Sequence, residues 1–483
     1  MRPLVWFRAD LRTKDNTALS RATRAAKRGV VGVFLIAADQ WREHDWAAVK
    51  VDFLLRSLEE LKGELKKINV PLLIRRAGRF DDAAVALTAI ADEHGCDALY
   101  FNEEYEVNEK RRDTEVTEAF AAAGRAVHGY TDQVVLAPGQ VLTKTGGWYG
   151  VYSPFKRRWH AALDEEGGIW TEPEPKKQPA LNGLAADDVP QTVKPFALAT
   201  HERSRFAALW PAGEREARKA LGSFCKSRIA GYKDNRDTPS VPGTSSLSHH
   251  LAVGTISPRQ CIAKAADAND GEIATGNAGV VGWIEEVIWR EFYKHLIVGH
   301  PRLCMHRPFQ LDTDRITWRD DDDHFAAWAE GRTGYPIIDA AMRQLNETGW
   351  MHNRLRMIVA SFFTKNLFLD WRRGERYFMT HLIDGDLASN NGGWQWSAST
   401  GTDAQPYFRV FNPISQSEKF DPDGEFIRRY VPELEDAGTT SIHDPAKLAK
   451  SDLFSGTGYP KPIVDAKSTR VRAIDAFKEL KSA

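Results

Sequence analysis

Short apolar runs alternate with helical patterns over the first 130 residues, and this alternation constrains the fold more than any other feature. Four runs are uncharged and have the length of buried strands: residues 4–7, 30–36, 71–74 and 98–101. Between them, residues 51–67 and 82–94 carry apolar side chains at spacings of three and four. Strands separated by amphipathic helices predict a mostly parallel sheet, and such sheets bind ligands at the carboxyl ends of their strands.

The glycine motifs that usually bind phosphate are absent from this region. Neither G-x-G-x-x-G nor G-x-x-x-x-G-K-[ST] occurs in the first 130 residues. A nucleotide-binding α/β enzyme with an appended helical domain, one alternative for this chain, needs such a loop there. We therefore predict an α/β domain with a Rossmann-like parallel sheet but without the standard dinucleotide fingerprint.

The composition changes between Glu172 and Pro195, where five prolines and many charges replace large apolar residues. This stretch predicts a linker. From about residue 196 to 478 the strand patterns disappear and helical patterns dominate. The predicted parts are an α/β domain at 1–130, an interdomain linker at 131–198 and an all-α domain at 199–483.

Charge and cysteine content exclude several classes of protein. The chain has 65 Lys and Arg against 66 Asp and Glu, a formal net charge of -1, which excludes a strongly basic coat protein but not a basic groove. Its 4 cysteines form no C-x-x-C, which argues against structural zinc and disulfides. Neither a membrane span nor a signal sequence is evident. We expect a reduced, cytoplasmic protein without a metal ion.

One helical stripe combines charged and aromatic side chains. Four residues recur at i, i+3, i+4 and i+7: Glu286, Trp289, Arg290 and Tyr293. An acid, a base and two aromatic rings on one face can line a polar cavity and stack on a planar ligand. The alternative is an exposed face whose Glu–Arg pair contributes about 0.3–0.5 kcal/mol. The stripe alone fits both interpretations.

Tryptophan and arginine are concentrated further along the chain. Of the 15 tryptophans, eight lie between Trp283 and Trp396. The segment 350–357 adds two arginines, an asparagine and a histidine to Trp350. A basic helix with interleaved aromatic rings is typical of phosphate binding with base stacking, whereas a solvated charged face is the alternative. Most of the tryptophans are expected to serve packing alone.

Two polar loops are candidates for ligand contacts. Residues 243–248 join small hydroxyl side chains to a predicted helix start, which suits phosphate but is better explained by a plain N-cap. Residues 384–391 combine two carboxylates with two asparagines, which can hydrogen-bond the edge of a polar heterocycle. Their spacing does not match a calcium-binding loop, so a metal site is disfavoured.

Together these segments resemble the photolyase/cryptochrome family, and within it the class I cyclobutane pyrimidine dimer DNA photolyases. The resemblance extends from Met1 to about Phe477 and is carried by five segments: 6–12, 286–293, 333–343, 349–357 and 384–396. It implies an α/β antenna domain followed by an all-α FAD-binding domain. It also implies a carbon–carbon lyase in which reduced FAD (FADH⁻), excited by blue or near-UV light, splits pyrimidine dimers in DNA.

The resemblance assigns the cofactor contacts by position. For the FAD phosphates and ribose it implies Tyr232, Arg236, Thr244, Ser245, Ser246, Leu247 and Ser248. Near the isoalloxazine ring it implies Trp350, Asn353, Arg354, Asp384, Gly385, Asp386 and Asn390, with Asn390 close to the ring's N5. Three tryptophans match the family's electron-hopping chain: Trp394, Trp371 and Trp318.

The resemblance also implies substrate and antenna contacts. The positions that would contact the dimer and DNA are Glu286, Trp289, Arg290, Asn353, Arg354, Met357 and Gln416. His44, Asn108 and Glu109 match a pocket for 5,10-methenyltetrahydrofolate. Met305 stands where folate-using relatives have Lys, so a deazaflavin antenna is the alternative, although folate is favoured.

The family leaves one main alternative, a cryptochrome-type blue-light receptor with the same FAD site and no repair. The (6-4) photolyases place a histidine pair in the pocket, whereas segment 350–357 has only His352. The family expectation is a monomer that acts on DNA containing pyrimidine dimers, associated with the nucleoid. No membrane attachment and no obligate protein partner are expected.

Overall fold

The structure, a computed structural model, describes residues 1–449 and 458–482. One sheet contains the strands β1 (Pro3–Phe7), β2 (Val31–Ile36), β3 (Leu72–Arg76), β4 (Ala98–Asn102) and β5 (Ala126–Tyr130). The order is β3-β2-β1-β4-β5 and every pair is parallel. The predicted Rossmann-like sheet is confirmed, and β5 is an additional edge strand.

Six helices accompany the sheet along the chain: α1 (Thr17–Ala25), α2 (Ala38–Glu43), α3 (Ala48–Lys67), α4 (Ala83–Glu93), α5 (Val107–Ala122) and α6 (Tyr152–Glu165). On one side of the sheet, Leu4 and Trp6 of β1 share a core with Leu87 of α4 and Phe120 of α5. Burial of these apolar side chains fixes the two helices against the strands.

The rest of the described chain is helical. Six helices follow α6 as far as residue 299: α7 (Thr200–Leu209), α8 (Glu214–Ser227), α9 (Tyr232–Asn235), α10 (Ser248–Val253), α11 (Pro258–Asp267) and α12 (Ala278–Gly299). The later helices are α13 (Asp322–Ala329), α14 (Pro336–Thr348), α15 (Asn353–Ser361), α16 (Trp371–His381), α17 (Leu387–Ala398), α18 (Pro413–Phe420), α19 (Glu425–Tyr430), α20 (Pro445–Leu448) and α21 (Ala466–Ser482). Short 3₁₀ turns and a π-helical stretch, Phe362–Leu367, connect several of them. The predicted helical remainder is confirmed.

Two compact units are present. Unit 1 comprises Met1–Ala230, Ser245–Pro301 and Ile383–Asp386, and unit 2 comprises Gly231–Thr244, Arg302–Leu382 and Leu387–Ala483. Unit 1 therefore contains helices α10 to α12 as well as the sheet, and unit 2 is helical. The predicted domain boundaries at residues 130 and 198 remain a prediction.

A buried ion cluster in unit 1 joins α11 to the sheet region. Arg259 on α11 lies 2.8 Å from an oxygen of Asp132 and 3.1 Å from Asp15. Arg12 lies 2.5 Å from the other oxygen of Asp132. Because all four side chains are buried, removing one partner would leave an uncompensated charge, so the cluster locks these elements together.

The proline-rich stretch after residue 172 also lies along unit 1. It has no helix or strand. The Glu172 carboxylate accepts hydrogen bonds from Ser20 and Arg21 at 3.2 and 3.0 Å. The Gln178 side chain donates to the Thr23 carbonyl at 3.0 Å. Leu181 and Leu184 also pack against the core beside the sheet, so both polar and apolar contacts fix this segment within unit 1.

Candidate functional site

A buried lysine of unit 1 anchors the loop that carries Asp386. The Lys294 ammonium on α12 lies 2.7 Å from the Asp386 carboxylate and 2.8 Å from that of Glu106. Burial lowers the pKa of Lys294, but the charges of Asp386 and Glu106 outweigh burial and raise it above its usual value. Lys294 is therefore a fixed cation between two carboxylates.

A second buried lysine holds the same loop through its backbone. Lys50 on α3 donates to the Gly385 carbonyl at 2.6 Å. Its ammonium also lies 3.7 Å from the centre of the Trp46 ring. Burial lowers the pKa of Lys50 to about 8. The sequence patterns single out neither lysine, because both lie far along the chain from the loop.

Helix α12 presents the predicted stripe on one face. Its first turn is capped by the Asn277 side chain, which accepts hydrogen bonds from the Gly279 and Val280 amides. The apolar stripe is buried: Ile284, Val287 and Ile288. The polar and aromatic stripe is half-buried: Glu286, Trp289, Arg290 and Tyr293. The four residues named from the helical period therefore share one partly buried face of α12.

The two long side chains of the stripe differ in their surroundings. Trp289 lies flat against Tyr152 at the start of α6, and Tyr152 donates its hydroxyl to the Glu285 carbonyl. Arg290 donates to the Gln133 carbonyl at 2.6 Å and to the Leu251 carbonyl at 3.3 Å. The guanidinium therefore holds backbone within unit 1, and its contact with DNA remains a prediction.

His44 and the pair Asn108–Glu109 come together beyond the carboxyl ends of β2 and β4. The His44 Nε2 lies 2.9 Å from the Asn108 amide nitrogen and 3.0 Å from that of Gln40. Because amide nitrogens only donate, Nε2 accepts and Nδ1 carries the proton. Nδ1 lies 3.4 Å from the Glu109 carboxyl group.

The surroundings of this histidine–glutamate pair favour the uncharged form of each group. Burial and the neighbouring Glu106 carboxylate raise the pKa of Glu109 to about 8. Burial lowers the pKa of His44 below its usual value. The structure thus brings the three predicted antenna residues into one hydrogen-bonded cluster.

Unit 2 gathers another predicted set around α9. The Arg354 guanidinium binds both oxygens of Asp237, at 2.8 and 3.2 Å. The loop after Asp237 returns to α9 at Gly243, where a Cβ would lie 2.4 Å from the Asn235 carbonyl oxygen. Only glycine permits this approach. Tyr232 begins α9 and Arg236 follows it, and the sharp turn passes beside Asn235 of this helix.

The segment that follows departs from its sequence interpretation. Helix α10 begins at Ser248 and has only six residues. Leu247 occupies its N-cap and no side chain caps it, so the plain N-cap interpretation is wrong. Ser246 has a positive φ of 51°, and Ser245 stands beside it in a half-buried turn.

Helices α16 and α17 pack closely around Asn390. The Asn390 amide donates to the Glu375 carbonyl oxygen at 2.9 Å, and Asn391 donates to the Glu375 carboxylate at 2.8 Å. At Gly374 a Cβ would lie 2.2 Å from the Trp394 ring. Glycine at 374 therefore lets the tryptophan reach its buried position. The sequence patterns identified neither Glu375 nor Gly374 as a site residue.

The three tryptophans of the predicted hopping chain belong to the core of unit 2. Trp394 and Trp371 are buried, with exposures of 2% and 1%, whereas Trp318 is half-buried. Trp318 packs on Phe368 at 5.1 Å and on Phe477 at 6.5 Å between ring centres. Trp318 is thus the most exposed of the three tryptophans in the predicted electron-hopping chain.

Other predicted residues occupy separate positions in unit 2. Asn353 begins α15 and is exposed, and Met357 lies one turn later and is half-buried. Gln416 is half-buried on α18. The Trp350 ring lies 6.3 Å from that of His352, which caps α15. In unit 1, Asp384 is buried in the anchored loop.

Two other kinds of feature are absent from residues 1–449 and 458–482. Within these ranges no helix is long and apolar enough to cross a membrane. The same ranges contain no group of three or more His, Cys, Asp or Glu side chains arranged to hold a metal ion.

Comparison with known proteins identifies the family. The DNA photolyase family model matches residues 3–180, and that for the FAD binding domain of DNA photolyase matches residues 283–479. The deoxyribodipyrimidine photo-lyase of Escherichia coli K12 is 45% identical over 476 residues, 98% of both chains. A class III photolyase from Agrobacterium tumefaciens is 35% identical with a TM-score of 0.89, covering 100% of this chain and 98% of that one. A Synechocystis cryptochrome is 26% identical with a TM-score of 0.84, covering 98% and 99%. The chain therefore belongs to the DNA photolyase family.

Proposed function

We propose that this chain is a light-dependent carbon–carbon lyase that uses bound FAD to split cyclobutane pyrimidine dimers in DNA. The observation that carries the proposal is the half-buried stripe of α12, on which Glu286 and Trp289 stand one turn apart. A planar ring beside a carboxyl group suits a pyrimidine pair, because the ring can stack and the carboxyl group can hydrogen-bond. The deoxyribodipyrimidine photo-lyases among its relatives support the same activity.

The residues present fit FAD. In unit 2, the Gly243 turn packs against Asn235 of α9 and leaves no room for a Cβ. Tyr232, Arg236 and Thr244 flank this turn along the chain, and their hydroxyl and guanidinium groups suit a pyrophosphate. In unit 1, the loop of Asp384, Gly385 and Asp386 is fixed by Lys294 and Lys50. A fixed loop with two carboxylates suits the hydrogen-bonding edge of a flavin ring.

The remaining proposed FAD contacts keep the roles the family implies. They are Ser245, Ser246, Leu247, Ser248, Trp350, Asn353, Arg354 and Asn390. Reduced FAD supplies, when bound and excited, the electron that opens the cyclobutane ring and accepts it back afterwards. The chain orients that cofactor and excludes water around it.

The substrate must leave the duplex to be reached. Pyrimidine dimers pair poorly, which lowers the cost of flipping them out. We propose that Trp289 stacks on the flipped dimer and that Glu286 hydrogen-bonds its carbonyl edge. The other proposed DNA contacts are Arg290 in unit 1 and, in unit 2, Asn353, Arg354, Met357 and Gln416. Arginine contacts with phosphates would make the affinity depend on salt.

We propose 5,10-methenyltetrahydrofolate as the antenna chromophore, held by His44, Asn108 and Glu109. The hydrogen-bonding groups that His44, Asn108 and Glu109 bring together support a polar heterocycle at this position. Met305, which replaces a lysine, is 58% exposed, so the substitution removes a contact at the surface rather than in this cluster. A deazaflavin is the alternative, and the mass of the chromophore released by denaturation distinguishes the two.

A photoreceptor without repair activity is the competing function. The deciding experiment is dark titration with a duplex that contains one thymine dimer and with the intact duplex. We expect the damaged duplex to bind about a hundredfold more tightly, since its flipping costs a few kcal/mol less. Equal affinities would favour the photoreceptor.

We further propose that the protein acts as a cytoplasmic monomer associated with DNA and needs no protein partner. Its near-zero net charge is compatible with a local DNA-binding surface. Light scattering with and without damaged duplex tests the stoichiometry. A stable dimer in the absence of DNA would contradict this part of the proposal.

A further inference from the structure

Lys294 connects two predicted sites that the sequence treats separately. Its ammonium lies between the carboxylates of Glu106 and Asp386, at 2.8 and 2.7 Å. Glu106 is the N-cap residue of α5, whose first turn carries Asn108 and Glu109. Asp386 belongs to the loop proposed to contact the flavin ring. One side chain thus touches the antenna helix and the flavin loop.

The surroundings of Lys294 make its charge effective. The residue is 2% exposed, so water screens its charge little. Burial raises the pKa of Glu106, but the charge of Lys294, its hydrogen bond and a backbone hydrogen bond together hold that pKa below the usual value. Lys50, which donates to the adjacent Gly385 carbonyl, is the second cation of the cluster. Two lysines therefore place positive charge against this loop.

We propose that Lys294 is a positioning residue that fixes the Asp386 carboxylate beside the flavin and sets how readily the bound flavin is reduced. This inference rests on the proposed contact between Asp386 and the cofactor. Reduced flavin is more negatively charged than oxidised flavin, so a nearby cation favours reduction and a nearby carboxylate opposes it.

Substitutions of the cations and of the anions in this cluster should therefore change the ratio of reduced to oxidised flavin in opposite directions. Lys294→Met removes a cation, and we expect the ratio of reduced to oxidised flavin at a fixed potential to fall about tenfold. Glu106→Gln removes an anion and keeps the pair of Lys294 with Asp386, so the ratio should rise. Lys294→Arg keeps the positive charge, so its ratio should stay close to that of the unsubstituted protein. A merely structural role predicts no such change of sign.

The experiment is a spectroscopic redox titration of the FAD-loaded full chain at fixed pH. The control is Lys264→Met, since Lys264 is an exposed lysine paired with Asp267 on α11, and its ratio should equal that of the unsubstituted protein. An unchanged ratio in Lys294→Met with FAD bound would overturn the inference. If that variant loses FAD, Glu106→Gln decides, and the absence of a rise overturns it.

A further variant separates this inference from the site assignment. Asp386→Asn removes the carboxylate proposed to face the flavin, so the ratio should rise. If Asp386→Asn shifts the ratio and Lys294→Met does not, the role of Lys294 alone is wrong. If Asp386→Asn leaves the ratio unchanged, the proposed flavin contact is wrong and the inference falls with it.

Discussion

Tyr152 and Trp289 form a face-to-face stack, with ring centres 3.7 Å apart and planes inclined by 12°. The Tyr152 hydroxyl donates to the Glu285 carbonyl at 2.8 Å, which fixes the ring from its far end. Phe292 and Tyr293 approach the indole from other directions. The Trp289 ring is thus held in one plane before any ligand binds, which reduces the entropy lost on stacking.

Loss of this stack should weaken dimer binding. We expect Tyr152→Ala to raise the Kd for a thymine-dimer duplex about tenfold, because an aromatic pair contributes about 0.5–1.5 kcal/mol. Tyr152→Phe keeps the stack and should bind almost normally. Dark titration measures both, and flavin absorbance reports correct folding. Unchanged binding by Tyr152→Ala would show that the stack does not prepare Trp289.

Glu286 should act on the dimer rather than on the cofactor. We expect Glu286→Ala to retain FAD and to lower repair per absorbed photon several-fold, since a hydrogen bond to the pyrimidine carbonyl edge is lost. The matched control is Glu285→Gln, because Glu285 pairs with Lys156 at 2.6 Å. Equal repair by Glu286→Ala and the unsubstituted protein would remove Glu286 from the substrate contacts.

Trp318 should be needed for photoreduction and not for repair itself. With Trp318→Phe we expect slow reduction of the flavin by light, while protein that is reduced chemically still repairs. Trp170→Phe, at a tryptophan that is 51% exposed in unit 1, is the control. Normal photoreduction in Trp318→Phe would show that Trp318 does not belong to the electron-hopping chain.

A buried lysine of unit 2 should make stability depend on pH. Lys365 donates to the Ala398 carbonyl and the Ser399 hydroxyl, both at 3.0 Å. No carboxylate among residues 1–449 and 458–482 pairs with it. Burial lowers the pKa of Lys365 to about 7. In the unfolded chain Lys365 has its ordinary, higher pKa. Below pH 7 folding therefore buries a charged ammonium group, which lowers the free energy of unfolding, and this cost decreases as the pH rises.

Lys365→Met should therefore stabilise the protein most at low pH. We expect a gain in the free energy of unfolding of about 2 kcal/mol near pH 6, decreasing towards pH 10. Unfolding transitions at several pH values measure the difference, with the exposed Lys264→Met as control. A gain that is the same at all pH values would show that the charge of Lys365 is not its cause.

Strands β1 to β4 were predictable because each contains a short apolar run, although β3 continues into the partly exposed Arg75 and Arg76. Strand β5 was not, since Ala126–Tyr130 is partly exposed and contains His128 and Gly129, and pairing with β4 defines it. The stripe of α12 follows from helical period alone. Lys294 and Glu106 are 188 residues apart, and periodicity reports only neighbours within one element. For the same reason, the sequence patterns could not predict the contact of Arg354 with Asp237.

The central claim is that light, bound FAD and the α12 stripe together repair pyrimidine dimers. Its most direct test is repair of a thymine-dimer oligonucleotide by the reduced protein under blue light and in the dark. We expect intact thymines to form only in the light. Absence of repair in the light, with flavin bound and reduced, would contradict the account and indicate a cryptochrome or a (6-4) enzyme.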